Sequence, residues 1–201
     1  SHGYPDGERI PLQLMIDALE RIVRATELPV TADLDGGFGD VRETVRRAIA
    51  VGVCGANIED QLRPLGESVD VMRAALETGE QEGVPFVLNA RTDALVKGGD
   101  RPRAESIDDA IERGRAYLEA GARCVFVPGV LDERETRTLV EGIGDRRISV
   151  IGLPGALTAA EYEALGVARI SYGPMPQNVA LTALKRLGES LLSDGTIPED
   201  T

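Results

Sequence analysis

The sequence contains 201 residues, of which 42% are hydrophobic and 28% charged, so it can form one globular domain with a full core. Its net charge of −12 and its 3% of aromatic residues exclude nucleic acid as the main partner, because phosphate backbones are repelled and bases find few rings to stack on. An anionic membrane surface is disfavoured for the same reason, and no apolar run is long enough to cross a bilayer.

Strand-like apolar runs alternate with helix-period segments along the whole chain. In chain order we predict a helix at 11–26, a strand at 28–35, a helix at 40–51, a strand at 55–60, a helix at 67–82, a strand at 85–91, a helix at 106–120, a strand at 123–128, a helix at 132–142, a strand at 148–153, a helix at 158–165, a strand at 168–172 and a helix at 177–192. Such strict alternation predicts a parallel β-sheet. Gly52, Gly83 and Gly121 each stand between a helix and the next strand, where glycine commonly ends a helix.

Two parallel architectures are compatible with this alternation, an open doubly wound sheet and a closed barrel. A dinucleotide-binding open sheet carries a GxGxxG turn after an early strand, and none follows these strands. A barrel collects its site from the carboxyl ends of several strands, which is where this sequence places its polar residues. We therefore predict an α/β fold of the (β/α)8 TIM barrel type, as a single domain over 1–201.

The number of strands bears on where this barrel begins. Such a barrel has eight strands and takes about 250 residues, whereas six strands are visible here. The chain opens with a polar turn at 2–7 that leads directly into a helix, so we expect the first two βα units to be missing from this sequence. The one histidine, His2, lies in that turn and is expected to stay outside the chemistry.

Polar residues of one parity end three successive strands. Side chains two residues apart share a face of a strand. The pairs that share a face are Asp33 with Asp35, Asn57 with Glu59, and Asn89 with Arg91. The intervening residues are apolar and can pack on the surrounding helices, so we expect the polar pairs to point into the barrel mouth.

Three converging carboxylates predict a divalent cation. Asp33, Asp35 and Glu59 would repel one another and would be costly to desolvate without a positive partner. Mg²⁺ fits best, with Mn²⁺ as an alternative, because it takes oxygen ligands and needs only one or two direct carboxylates. Arg91 offers the forked geometry that binds a carboxylate. Metal and guanidinium together would hold a small 2-oxo acid and stabilise its enolate.

The glycines, asparagines and cysteines near these strands leave alternatives open. The run Gly36–Gly39 is either a phosphate-cradling loop or, as we favour, a tight turn that lets backbone approach the ligand. Gly36, Gly37, Asn89 and Arg91 are the predicted substrate-binding residues, although Asn57 and Asn89 could equally satisfy backbone groups. Cys54 and Cys124 show no CxxC spacing, which predicts small core fillers and a reducing compartment, the cytoplasm.

These motifs together resemble the superfamily of phosphoenolpyruvate mutase and isocitrate lyase. An Asp-x-Asp followed by a Gly-aromatic-Gly turn is present at 33–39, Glu-Asp-Gln at 59–61, and Asn-Ala-Arg-Thr-Asp-Ala at 89–94. Val-Pro-Gly at 127–129, Ser-Tyr-Gly-Pro at 171–174 and the opening Gly-Tyr-Pro-Asp-Gly at 3–7 agree with it.

The resemblance implies a Mg²⁺-dependent barrel enzyme that forms a homodimer or a homotetramer. It implies that Asp33 ligates the metal directly, that Asp35 and Glu59 hold metal-bound waters, and that Arg91 binds the substrate carboxylate. Asp33 and Arg91 are thus the predicted catalytic residues. Known members make or break a C–C or a P–C bond next to a carboxylate, so the expected substrate is a small 2-oxo acid or a phosphonate.

One loop departs from the pattern of the lyases. Those enzymes carry a Lys-(Lys/Arg)-Cys-Gly-His loop after the Glu-Asp strand, whereas this sequence reads Leu-Arg-Pro-Leu-Gly-Glu at 62–67. The missing thiol favours a phosphonomutase-like activity over cleavage of isocitrate or methylisocitrate. The Lys-x-Asn-Ser type segment of the phosphonate mutases is absent from this loop as well, so the subgroup stays open. Two alternatives are C–C chemistry on oxaloacetate-like acids and a catalytically silent binding barrel. The loops at 62–67 and 95–105 are candidates for closing over the ligand.

Overall fold

The computed structural model describes residues 3–5 and 7–197, so His2 lies outside the described residues. Helices and strands alternate throughout this part of the chain. Their bounds are α1 Leu12–Arg24, β1 Val30–Asp33, α2 Val41–Ala50, β2 Val53–Glu59, α3 Leu65–Gln81, β3 Val87–Arg91, α4 Arg103–Glu119, β4 Cys124–Phe126, α5 Glu133–Ile143, β5 Ile148–Ile151, α6 Ala159–Ala164, β6 Arg169–Ser171 and α7 Met175–Ser193. Each predicted element is present, with shifts of a few residues at its ends.

The six strands form one parallel sheet in the order β1-β2-β3-β4-β5-β6. Every strand pairs only with its neighbours along the chain, and the order never reverses as it does in a doubly wound sheet. A sequential parallel sheet covered by helices is the arrangement of part of a TIM barrel, which confirms the fold class at that level. Eight units, and two of them preceding this sequence, stay a prediction.

The two faces of the sheet differ as the parity of the sequence predicts. One parity is apolar and almost completely buried against the helices; it comprises Ala32, Leu34, Ala56, Ile58, Leu88, Ala90, Val125, Val127, Ile148 and Val150. Each valine, leucine or isoleucine of this set contributes roughly 1.5–3 kcal/mol when it leaves water, so this face fixes the register of the strands. The polar parity is thereby turned to the opposite face.

Glycine and proline set the helix ends. Gly52, Gly83 and Gly121 have φ of 98°, 71° and 108°, which confirms that they end α2, α3 and α4 in a left-handed conformation. Pro64 and Pro102 occupy the N-cap positions of α3 and α4, and both helices begin earlier than predicted. The described helices include none that combines the length and apolar character needed to cross a membrane.

Candidate active site

The carboxyl end of β1 carries Asp33 and Asp35 into a strained turn. Asp33 is the last residue of the strand and is exposed, and its Oδ1 accepts a hydrogen bond from the Asp35 amide at 3.3 Å. Asp35 has φ of 45°, a left-handed conformation that is uncommon outside glycine. The Glu8 amide donates to Asp35 Oδ2 at 3.1 Å, and Glu8 Oε1 accepts from the Phe38 amide at 2.7 Å. The segment before α1 therefore holds this turn in place.

A quartet of charged side chains, Glu59, Arg91, Asp93 and Lys97, lies at the ends of β2 and β3. Arg91 contacts Glu59 Oε2 through Nη2 at 3.0 Å and Asp93 Oδ1 through Nε at 2.8 Å. Lys97 Nζ lies 2.9 Å from Glu59 Oε1 and 2.6 Å from Asp93 Oδ2. Each carboxylate thus bridges both cations, and the four side chains form a closed ring of ion pairs.

The quartet keeps its cations charged. Burial by itself lowers the pKa of the Arg91 guanidinium, but the carboxylates of Asp93 and Glu59 outweigh it. Asp33 adds to this effect, so the pKa of Arg91 is raised above its ordinary value and Asp33 is electrostatically coupled to the quartet. Burial likewise lowers the pKa of Lys97, and its hydrogen bonds to Asp93 and Glu59 raise it beyond that loss. Both side chains therefore carry a full positive charge at neutral pH.

Asn57 and Asn89 lie on the same face, two residues before Glu59 and Arg91. Asp33, Asn57 and Asn89 are neighbours in register across β1, β2 and β3. Asn89 Nδ2 donates to Asn57 Oδ1 at 2.7 Å, so the two amides bind each other. Asn89 is fully buried, and its Oδ1 has no hydrogen-bond partner among the described residues. The predicted role of Asn89 in substrate binding stays a prediction.

Gly36 and Gly37 form a tight turn, which was the favoured prediction for this run of glycines. The Gly37 amide donates to the Leu34 carbonyl at 2.9 Å, and φ of Gly37 is 101°. A Cβ on Gly36 would lie 2.4 Å from Nε2 of Gln61, so this glycine lets the loop after β2 pack on the turn. Arg63 Nη2 completes that contact by donating to the Gly36 carbonyl at 3.2 Å. Packing alone thus explains these glycines, and their role toward a substrate stays a prediction.

A second buried cluster, centred on Asp60, contacts the quartet through the backbone of Asp93. It was not predicted from the sequence. Asp60 is fully buried and accepts four hydrogen bonds. Its Oδ2 binds Tyr117 Oη at 2.6 Å and Arg113 Nη1 at 3.2 Å, while its Oδ1 binds the Asp93 amide at 3.0 Å and the Leu62 amide at 2.9 Å. This one carboxylate therefore joins the end of β2 to the end of β3 and to α4.

Signals for the missed residues exist in the sequence. Asp60 stands on the apolar parity directly after a strand, where a charge must find a buried partner. Arg113 and Tyr117 are four residues apart, and so on one face of the predicted helix. The two cysteines are free and only partly buried, rather than fully buried as predicted, and burial raises the pKa of Cys124 to about 11.

The acids at these strand ends do not form a complete metal cage. No group of three or more His, Cys, Asp or Glu in the described part of the chain could enclose a metal by itself. Mg²⁺ does not require such a cage, because it keeps several waters and binds through one or two carboxylates. Asp33, Asp35 and Glu59 offer only carboxylate oxygens, and both oxygens of the nearly buried Glu59 are already paired, one with Arg91 and one with Lys97. The metal-binding role of the three acids therefore stays a prediction.

Comparison with known proteins shows similarity to named lyases and mutases. The family described as phosphoenolpyruvate phosphomutase matches residues 1–192. The 2,3-dimethylmalate lyase of Eubacterium barkeri is 34% identical over 183 residues, which make up 82% of this chain and 60% of that protein. The chain spans about half the length of the curated relatives it matches.

Solved structures show the same similarity. A provisionally assigned phosphonomutase from Burkholderia cenocepacia J2315 has a TM-score of 0.86 at 38% identity, over 93% of this chain and 79% of that one. A phosphonopyruvate hydrolase, in complex with oxalate and Mg²⁺, has a TM-score of 0.81 at 25% identity, over 97% of this chain and 71% of that one.

Proposed function

Because the chain belongs to the phosphoenolpyruvate phosphomutase family, we propose that it makes or breaks a bond next to the carboxylate of a small 2-oxo acid, with Mg²⁺ or Mn²⁺ bound. The bond is P–C or C–C, and the reaction passes through an enolpyruvate-like intermediate. The observation that carries this proposal is the position of Arg91, held by Glu59 and Asp93 at the strand ends and coupled to Asp33.

Arg91 would bind the substrate carboxylate. Its two ion pairs use Nε and Nη2 and fix the plane of the guanidinium, so little side-chain entropy is lost when a ligand binds. Its side chain is 23% exposed, which leaves it within reach of a small molecule entering at the strand ends. Lysine could not replace it, because only the planar fork matches both oxygens of a carboxylate.

The acids of β1 and β2 would hold the cation. Asp33 would ligate it directly, with Asp35 and Glu59 in contact with its water shell. When bound, the cation supplies positive charge that stabilises the enolate oxygen of the substrate. Asn89 Oδ1, buried beside this face, would orient the bound acid.

We favour the P–C bond, as in a phosphonomutase, because the loop at 62–67 has neither cysteine nor histidine to serve as an acid–base group. In the structure this loop is occupied with other contacts, since Arg63 binds Gln61 Oε1 at 2.7 Å as well as the Gly36 carbonyl. The 34% identity to a dimethylmalate lyase favours C–C chemistry as the second candidate. A product screen against phosphonopyruvate, oxaloacetate and methylisocitrate separates the two.

The metal assignment is tested by Asp33→Ala. We expect Mg²⁺-dependent binding of oxalate, a mimic of the enolate, to weaken at least about 100-fold, because loss of an outer-shell partner alone costs 10–100-fold in metal affinity. Isothermal titration calorimetry with and without Mg²⁺ measures it. Asp70→Ala, which removes an exposed acid paired with Arg73 on α3, is the matched control. An unchanged oxalate affinity in a folded Asp33→Ala variant would remove Asp33 from the site.

The titrations and the product screen together test the alternative of a catalytically silent binding barrel. A barrel that binds Mg²⁺ and oxalate but turns over none of the three acids is a binding module, and it overturns the enzymatic part of the proposal. Turnover of any one of them assigns the bond that is made or broken.

A further inference from the structure

We propose that Lys97 is an internal competitor for the cation site, a built-in positive charge that weakens the binding of a divalent metal at the ends of β1 and β2. The inference rests on the proposed function, since it concerns the same site. It adds a residue of the β3–α4 loop that takes no part in the roles assigned above.

The ammonium of Lys97 lies between two buried carboxylates, those of Glu59 and Asp93. It lies within 2.9 Å of Glu59 and 2.6 Å of Asp93, two carboxylates whose side chains are 8% and 0% exposed. An ion pair between exposed side chains would contribute little, but these acids are buried and would be costly to leave without a counter-charge. Lys97 therefore neutralises Glu59, which the end of β2 would otherwise present to a cation, together with Asp93, which follows β3.

The charge balance of the quartet decides the direction of the effect. With two carboxylates and two cations it is neutral, so it adds no attraction for Mg²⁺ beyond that of Asp33 and Asp35. Both oxygens of Glu59 face cations, Oε1 toward Lys97 and Oε2 toward Arg91. Without the lysine charge the quartet would carry one net negative charge beside the proposed site, and the affinity for a divalent cation would rise.

Lys97 is the member of the quartet that can leave. Arg91 lies within β3 and is more buried, whereas Lys97 lies on the loop beyond the strand and its side chain is 44% exposed. Its flexible four-carbon stem lets the ammonium move into solvent when a metal takes its place near Glu59. The loop at 95–105 would lose its ion pair to β2 at the same moment, so metal binding would loosen the loop predicted to close over the ligand.

The test measures binding of Mn²⁺ alone, by electron paramagnetic resonance of the free ion, to the full chain. Lys97→Met keeps the apolar stem and removes the charge, and we expect it to bind Mn²⁺ about tenfold more tightly. Lys97→Arg keeps the charge and should stay within about twofold of the original chain. Lys185→Met, at an exposed lysine 3.7 Å from Glu189 on α7, should have no effect.

Three results would overturn the inference. They differ in whether the proposed metal site is also excluded. If the original chain binds Mn²⁺ and Lys97→Met binds it equally or more weakly, Lys97 is no competitor, although the proposed metal site stands. If the gain persists in the double variant Asp33→Ala, Lys97→Met, the ion binds elsewhere. If no variant binds Mn²⁺, the metal site of the proposed function fails together with the inference.

Discussion

Buried charge at the level of single residues holds the site together. Asp60 is a carboxylate that accepts four hydrogen bonds while fully buried, so it avoids the cost of an unpaired buried charge. Burial, followed by the charge of Asp60, raises the pKa of Tyr117 well above its ordinary value, so the phenol stays a donor at any physiological pH. Asp60 also accepts a hydrogen bond from the Asp93 amide, which holds the chain just beyond Arg91 and the end of β3.

Tyr117→Phe tests that support. The change keeps the ring and removes the hydroxyl that donates to Asp60 Oδ2, so we expect a loss of about 1–3 kcal/mol in the free energy of unfolding. Urea denaturation followed by circular dichroism measures it. Tyr172→Phe, at a tyrosine that is 55% exposed, is the control and should change the stability by less than about 0.5 kcal/mol. Equal stability of the two variants would mean that the Tyr117 hydroxyl contributes nothing.

At the level of elements, two glycines let α4 and α5 approach closely. A Cβ on Gly114 of α4 would lie 2.8 Å from Cδ1 of Ile143, and one on Gly142 of α5 would lie 2.6 Å from Cδ1 of Ile111. Each glycine thus receives an isoleucine from the facing helix. Glycine lowers helix propensity by about 1 kcal/mol relative to alanine, so these positions give up local stability in exchange for packing.

Whether a glycine-to-alanine substitution raises or lowers the stability should therefore depend on what surrounds the glycine. Gly114→Ala forces Ile143 to shift, and we expect a net loss of roughly 1–2 kcal/mol because overpacking outweighs the gain in helix propensity. Gly188→Ala in α7, where a Cβ would meet nothing within 4 Å, should instead stabilise by up to about 1 kcal/mol. Thermal unfolding of both variants decides the matter, and a stabilised Gly114→Ala would contradict the packing argument.

For the whole molecule, α7 is the element that the described structure leaves uncovered. It has no buried residue, and it exposes an apolar set that consists of Val179, Leu181, Leu184, Leu191 and Leu192. A cavity of about 600 Å³ separates part of this helix from the end of β5, with Gly152, Pro154 and Met175 among its lining residues. Exposed apolar side chains in this number are typical of an interaction site, which is why the homodimer or homotetramer predicted above remains our proposal.

Leu184→Glu tests that proposal. We expect the chain to be a dimer or a tetramer by size-exclusion chromatography with light scattering, and the variant to shift toward monomer because a buried interface does not accept an unpaired carboxylate. Leu28→Glu is the matched control, since Leu28 is a 75% exposed leucine before β1. A monomeric original chain, or equal masses for the two variants, would exclude α7 as the interface.

Local patterns in the sequence were sufficient to predict the helices and strands, the parallel sheet and the face of the sheet that carries the polar residues. Apolar residues at every second position of β1, β2 and β3 must be buried, so their neighbours Asp33, Asn57 and Arg91 fall on the other face wherever the strands lie. Glycine ended α2, α3 and α4 where it was expected, because its left-handed conformation is a property of the residue and needs no tertiary contact. The family resemblance, carried by short motifs, was confirmed by comparison.

Tertiary structure alone decided which charges meet. Glu59, Arg91 and Lys97 form ion pairs because two parallel strands and a loop bring them within 3.0 Å, and Asp60 finds Tyr117 from 57 residues away. Such pairs carry no periodic signature, since a hydrogen bond depends on distances of tenths of an ångström that residue order does not encode. Periodicity therefore determined the face on which the chemistry would lie, and the packing of strands and helices determined the partners of each charge.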